Sequence, residues 1–383
     1  MAKDLYQAIY SCYHSIKTLA PSINGIIAHW DADGIASSVI ALKLLGLNKS
    51  RVRAYTPKVG PYTIASIKSD IMLSVNGIIA LDYALGSTYD YLYYKLSGPL
   101  VVIDHHTHYL TRPLPYEARD ERLDMVYCNI QLVYGDMLPI NISTSLTMAM
   151  IAQQELDEDV LGWALVGFNA DYGYTMSWSN VLKALKLLLK GSEALLNKIG
   201  EEYEYISKLS DALNTLYIDY DNLCLNFDHI VKKLASRSFY DALFSIEPEA
   251  RRIKFKVERE LSNVYDSVEE HANYIIVRHY KSNSLIASKA SRLLSLKYRH
   301  RIVIMNMWYY PHKVGFIYVR NIDDKLLGRV KNIIASLLAN LDDEVSVGGR
   351  SNVLVIEYTR EETGIKLVNE IEKIVNLSTT TYV

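Results

Sequence analysis

The stretch Ile26-Ile27-Ala28-His29-Trp30-Asp31-Ala32-Asp33-Gly34-Ile35-Ala36-Ser37-Ser38 decides how the chain is read. Its apolar start, Ile26-Ile27-Ala28, predicts a buried strand. His29, Asp31 and Asp33 follow at alternate positions, which in an extended chain share one face. Gly34 then allows a tight turn, and Ile35–Leu45 predicts a helix closed by Gly46. Side chains of metal-ligand type at the C-terminal end of a strand stand where open α/β sheets keep their sites. Two carboxylates this close repel each other, and a divalent cation relieves that repulsion. A polar loop with Asp33 as helix cap is the alternative.

The pattern recurs downstream. Gly77-Ile78-Ile79-Ala80-Leu81-Asp82 and Pro99-Leu100-Val101-Val102-Ile103-Asp104-His105-His106 are further apolar runs ending in Asp or His. Arg51–Thr56 predicts another strand, and Tyr62–Met72 a helix beyond a loop at Gly60-Pro61. Strands alternating with helices imply a parallel sheet, whose strand tips are neighbours in space. Residues 1–20, 143–156 and 158–170 predict helices, the last running into Asp171. From 179 to 266 the chain is leucine-rich with few turn residues, which predicts a connector of two or three helices. From Tyr274 strand and helix patterns alternate again. Gly348-Gly349-Arg350 stands among them, either as an anion-binding loop or as a plain turn.

The 383 residues suffice for two or three domains with real cores. Half are hydrophobic and 22% charged, a globular profile, and no apolar run reaches the roughly 20 residues of a membrane span. Met1-Ala2-Lys3-Asp4 does not open a signal peptide. Cys12, Cys128 and Cys224 have neither metal nor disulfide spacing, which implies a reducing cytoplasm. Net charge is −2, yet residues 273–383 hold 16 Lys/Arg against 10 Asp/Glu. A basic C-terminal part beside an acidic one suits an anionic, phosphate-bearing substrate.

With His29-x-Asp31-x-Asp33-Gly34, Asp82, Asp104-His105-His106 and Asp171 in this order, the chain resembles the DHH phosphoesterase superfamily. Residues 267–383, with Gly348-Gly349, resemble its DHHA1 substrate-binding domain. The resemblance implies an α/β protein with a parallel-sheet DHH domain (1–178), a helical connector (179–266) and a smaller α/β DHHA1 domain (267–383). The active site would lie in the cleft between the lobes. It further implies two divalent metal ions, usually Mn2+, with Mg2+ or Co2+ as alternatives. One cation would be held by His29, Asp31 and Asp82, the other by Asp33, Asp82, His105 and Asp171, with Asp82 bridging. Imidazole and carboxylate ligands suit such cations. Two metals about 3.5–4 Å apart activate a hydroxide nucleophile and neutralise the phosphoryl oxygens. His106 would face the substrate phosphate, with Asp104 orienting a neighbour or simply bracing the turn.

Arg320, Gly348, Gly349 and Arg350 are the expected substrate contacts. Many relatives carry histidine where this chain has Arg350, and a serine in place of Tyr318. Trp308, Tyr309 and Tyr310 are candidates for base stacking or for core packing. Asp136 and His108 read as loop residues. The activity so implied is Mn2+-dependent hydrolysis of single-stranded nucleic acid or short oligonucleotides, as in RecJ-like exonucleases. A cyclic-dinucleotide or nucleoside-bisphosphate phosphoesterase shares the chemistry. A nucleic-acid-binding scaffold with replication or repair partners is a rival of another class.

Overall fold

The computed structural model describes residues 2–45, 47, 50–56, 75–82, 98–106, 125–173, 175–338, 345–350 and 352–380. They form two compact units, residues 2–252 and residues 253–380. The expected helix at Tyr62–Met72, the loop at Gly60-Pro61, Gly46 and His108 lie outside the described residues.

The first unit is built on a five-stranded parallel sheet: β1 (Gly25–Ala28), β2 (Arg53–Tyr55), β3 (Ile78–Leu81), β4 (Leu100–Ile103) and β5 (Met125–Cys128). The order is β2-β1-β3-β4-β5. β1, β3 and β4 are buried throughout, as strands covered on both faces must be. The chain leaves β1 toward β2 on one side and continues through β3, β4 and β5 on the other. The direction of winding therefore reverses between β1 and β3, and it is at such a switch point that α/β sheets open a crevice.

Helix Ala32–Leu44 follows β1 and is buried at every residue but Lys43. Its apolar and small side chains face helices on several sides at once: Thr144–Ile151, Glu158–Tyr172, Tyr203–Leu216 and Tyr220–Ala235. A helix apolar all round is an interior helix. The helix begins at Ala32, two residues before the glycine expected to turn the chain. Gly34 is there because a Cβ would stand 2.1 Å from the His29 carbonyl oxygen.

Residues 178–252 make more helices than expected: Trp178–Leu188, Glu193–Gly200, Tyr203–Leu216 and Tyr220–Ala235, then Ala242–Asp266, which runs on into the second unit. The turns between them are 3-10 turns and polar residues with few Gly or Pro, so the sequence gives little punctuation. Pro248 sits inside the last helix instead of ending it. These helices are no free connector, since they pack on those that carry the β1 and Asp171 motifs. The edge strand β2 is also covered from here: Asp228 accepts from the Ala54 N–H at 2.8 Å.

Cys12, in helix Ala2–Leu19, is disulfide-bonded to Cys128 at the end of β5, 116 residues on. Both are fully buried, while Cys224 is free and exposed. The expectation of unpaired thiols is corrected. The fold, not the spacing, brings these two together, and β5 itself is too short and too close to charged residues to stand out in the sequence.

The second unit has a six-stranded sheet in the order β10-β11-β9-β8-β7-β6. Its strands are β6 (Glu269–Glu270), β7 (Tyr274–Ser282), β8 (Ile302–Tyr309), β9 (Val314–Arg320), β10 (Val345–Arg350) and β11 (Val353–Tyr358). β7 and β8 are parallel and the other neighbours antiparallel. Ile276, Ile304, Ile317 and Ile356 pack one face against helices Asp324–Leu338 and Glu361–Thr380. Gly348-Gly349-Arg350 is neither loop nor turn. It belongs to β10, opposite Val355, Leu354 and Val353. Val345 and Val347 pack on the core and fix that register. Among the described residues, no helix is long and apolar enough to cross a membrane.

Candidate metal centre

Backbone geometry at the end of β1 sorts the first motif. His29 leaves β1 still tied to the neighbouring strand, its N–H donating to Leu81 O of β3 at 3.2 Å. Asp31 is the N-cap of helix Ala32–Leu44, and its Oδ1 accepts from the Asp33 and Gly34 N–H groups, each at 3.1 Å. That leaves Oδ2 beside His29 Nδ1 at 2.8 Å. Because the chain turns helical at Ala32, Asp33 does not share the face of His29 and Asp31, as an extended chain would require. It projects from the first helical turn into the interior.

There Asp33 is fully buried and accepts from the N–H groups of Thr144 and Ser145, at 2.8 and 3.0 Å. These open helix Thr144–Ile151, whose N-terminus favours an anion. Burial, then the charges of Asp171 and Asp31, nevertheless push the Asp33 carboxyl up to about 7. Gly167 makes the room, since a Cβ there would stand 2.3 Å from Asp33 Oδ1.

Asp82 ends β3 in the left-handed region, at φ 52°. Its Oδ1 lies 3.0 Å from His105 Nε2 and its Oδ2 3.8 Å from His29 Nδ1. Burial and the charges of Asp33, Asp31, Asp171 and Asp104 raise its carboxyl well above the usual range. Asp31 goes the other way. Burial raises it, but the charge and hydrogen bond of His29, with the Gly34 N–H and Asp82, more than offset this and leave it well below.

Beyond β4, Asp104 is fully buried, and its Oδ1 accepts from the His105 N–H at 2.8 Å and the His106 N–H at 3.3 Å. The same oxygen lies 2.7 Å from His106 Nδ1. Asn129, after β5, donates to His106 O at 2.9 Å. His105 Nε2 lies 3.3 Å from Asp171 Oδ2 and 4.0 Å from Asp33 Oδ2. Asp171 stands in the last turn of helix Glu158–Tyr172, inside it and not after it.

Three groups of candidate ligand atoms result: His29, Asp31 and Asp82; Asp33, His105 and Asp171; and Asp82, His105 and His106. Asp82 and His105 each belong to two groups. Buried carboxylates held together without a cation are costly, and a carboxylate–imidazole set of this kind fits divalent cations of the Mn2+ or Mg2+ type.

Arg320 belongs to the second unit, where it is buried, donating from Nε to Ser291 Oγ at 2.8 Å. The Arg350 side chain lies outside the described residues. Trp308 and Tyr309 are core residues, Trp308 stacking on Tyr358, while Tyr310 is exposed. Asp136 is exposed in the turn Gly135–Met137. Sequence reasoning missed Thr144, Ser145, Gly167, Asn129 and Tyr172, whose hydroxyl lies 3.1 Å from His105 Nδ1. Of these, Thr144 and Ser145 alone had a local signal that could have found them, Ser143-Thr144-Ser145 standing before an apolar run.

No family model matches the sequence, and no curated protein matches it. Solved structures do. The DHH domain of a protein described as a member of a ribosomal-protein family superposes with a TM-score of 0.64 at 14% identity, over 96% of this chain and 90% of that one. Exonuclease RecJ bound to manganese gives 0.55 at 13%, over 99% and 95%. CDC45 from Entamoeba histolytica gives 0.52 at 12%, over 97% and 99%. The chain has the DHH fold.

Proposed function

We propose that this protein is a metal-dependent phosphodiesterase acting on single-stranded nucleic acid or short oligonucleotides. The observation that carries the reading is the pair of ligand groups His29, Asp31, Asp82 and Asp33, His105, Asp171, with Asp82 reaching His29 on one side and His105 on the other. These residues would hold two divalent cations, Mn2+ first among them, which when bound would supply an activated water at neutral pH and charge neutralisation on phosphoryl oxygens. The likeness to a manganese-bound exonuclease concerns the fold alone and is compatible with this reading.

The protein's own groups divide the work. Asp82, between His29 and His105, would be shared by both cations. Asp31 spends one oxygen on the helix cap and keeps the other for a cation. Tyr172 holds His105 by Nδ1, so Nε2 faces the carboxylates. Asp104 holds His106 by Nδ1, and the partly exposed ring would offer its other nitrogen to a substrate phosphate. Arg320, Gly348, Gly349 and Arg350 are retained as proposed substrate contacts in residues 267–383, the proposed substrate-binding domain. A scaffold that has lost its chemistry would not need this full ligand set.

The test is a panel of end-labelled DNA and RNA strands, linear dinucleotides and cyclic dinucleotides, incubated with Mn2+, Mg2+ or Co2+ and with chelator. Shortening of single strands or dinucleotides, abolished by chelator, is expected. Cleavage of cyclic dinucleotides alone would move the substrate to the small-molecule class. No hydrolysis with any cation would overturn the proposal.

A further inference from the structure

Helix starts leave N–H groups without partners inside the helix. At the start of Ala32–Leu44, the cap Asp31 serves Asp33 and Gly34, and Ile35 N–H donates to Asp31 O at 3.0 Å. The remaining donor, Ala32 N–H, lies between the two acidic residues of the motif. Its acceptor comes from 182 residues away: Asn214 Oδ1, at 2.9 Å. Asn214 belongs to helix Tyr203–Leu216, in the stretch expected to be a mere connector.

The same stretch touches the other side of the motif. Tyr220 meets Trp30 edge-on with ring centroids 5.5 Å apart, and Trp30 lies against His29 with centroids 4.3 Å apart. The loop His29–Asp33 is thus held at His29 through Trp30 and at Ala32 through Asn214.

We propose that Asn214 is a positioning residue of the metal centre. By fixing the Asp31–Ala32 peptide it sets the separation between Asp31, which faces His29 and Asp82, and Asp33, which faces His105 and Asp171. The inference rests on the proposed two-metal reading. It goes further in placing a determinant of metal affinity in residues 203–220, which carry no ligand. Asn214 hydrogen-bonds no candidate ligand atom and acts through the backbone it holds. The oxygen is what matters, so a side chain of equal reach with an acceptor there should serve.

Mn2+ binding to the purified wild type, Asn214→Ala and Asn214→Asp, measured by calorimetry, tests this. Thermal unfolding without metal checks that each variant is folded. Removing a partner that orients a ligand typically costs about 10–100-fold in metal affinity, the loss expected for Asn214→Ala. Asn214→Asp retains the acceptor and should bind Mn2+ as wild type does. Wild-type affinity in Asn214→Ala overturns the inference while leaving the two-metal reading intact. Equal loss in both variants also overturns it, because the acceptor would then not be the cause. A wild type that binds no Mn2+ overturns both.

Discussion

The hydroxyl of Tyr172 lies 3.1 Å from Nδ1 of His105, opposite the nitrogen that faces Asp82 and Asp171. With Nδ1–H donating to that hydroxyl, Nε2 carries the lone pair that a cation would take. Tyr172→Phe removes the hydroxyl and keeps the ring that packs on Phe168. We expect a metal-affinity loss within the range of about 10–100-fold usual for such partners. Calorimetric titration with Mn2+ measures it, and an unchanged affinity would show that the ring is held by packing alone.

Asp82 is the residue to neutralise. At φ 52°, asparagine is tolerated better than alanine, so Asp82→Asn is the cleaner variant. It removes an ionisable group whose charged form burial and the neighbouring carboxylates disfavour. The metal-free protein should therefore melt higher, by roughly 2–4 °C for each kcal/mol of relieved repulsion. Hydrolysis and the stabilisation by added Mn2+ should both disappear. Activity near the wild-type rate would sink the bridging role.

Two glycines predict opposite signs. A Cβ on Gly167 would stand 2.2 Å from Ser145 Oγ and 2.3 Å from Asp33 Oδ1, so Gly167→Ala overpacks the centre. A loss of about 1–3 kcal/mol is expected, with weakened metal binding. Gly328, inside helix Asp324–Leu338, has nothing within 4 Å of a built Cβ. Gly328→Ala should gain about 0.5–1 kcal/mol. Denaturant midpoints measure both.

In the second unit, Glu372 accepts from Arg278 at 2.6 and 2.8 Å, and this hydrogen bonding, against partial burial, lowers its carboxyl below the ordinary 4.5. The folded state therefore binds fewer protons than the unfolded one, and the contribution is complete above 4.5 and lost as pH falls below it. Arg278 is more than a third exposed, so the effect is small. Glu372→Gln should flatten the acid side of the stability profile, read as melting temperature against pH. An unchanged slope would assign acid sensitivity elsewhere.

The sequence was most legible where a side chain's role depends on its neighbours along the chain. Ile26–Ala28, Ile78–Leu81 and Leu100–Ile103 read as strands because apolar runs of that length have few other uses. The acids and histidines after them read as one cluster because parallel strands bring their tips together, and the structure groups them. What depended on distant partners was not legible. Asp33 parts from His29 and Asp31 because Thr144 and Ser145 receive it. Gly34 answers to the His29 carbonyl and not to a turn. The register that draws Gly348 into β10 is set by Val345 and Val347 packing on the core. Tyr172 and Asn214 carry no local mark at all, since an aromatic or an amide at a helix end has many ordinary uses.

The bond between Cys12 and Cys128 closes a ring of chain containing His29, Asp31, Asp33, Asp82, His105 and His106, and of the candidate ligands only Asp171 lies outside it. A ring of this length removes about 4–5 kcal/mol of freedom from the unfolded chain. It also changes what a single cut can do. Cleavage of one peptide bond anywhere between the two cysteines opens the ring without releasing a piece. A nicked molecule would stay covalently whole with its candidate ligands, and come apart only when unfolded and reduced.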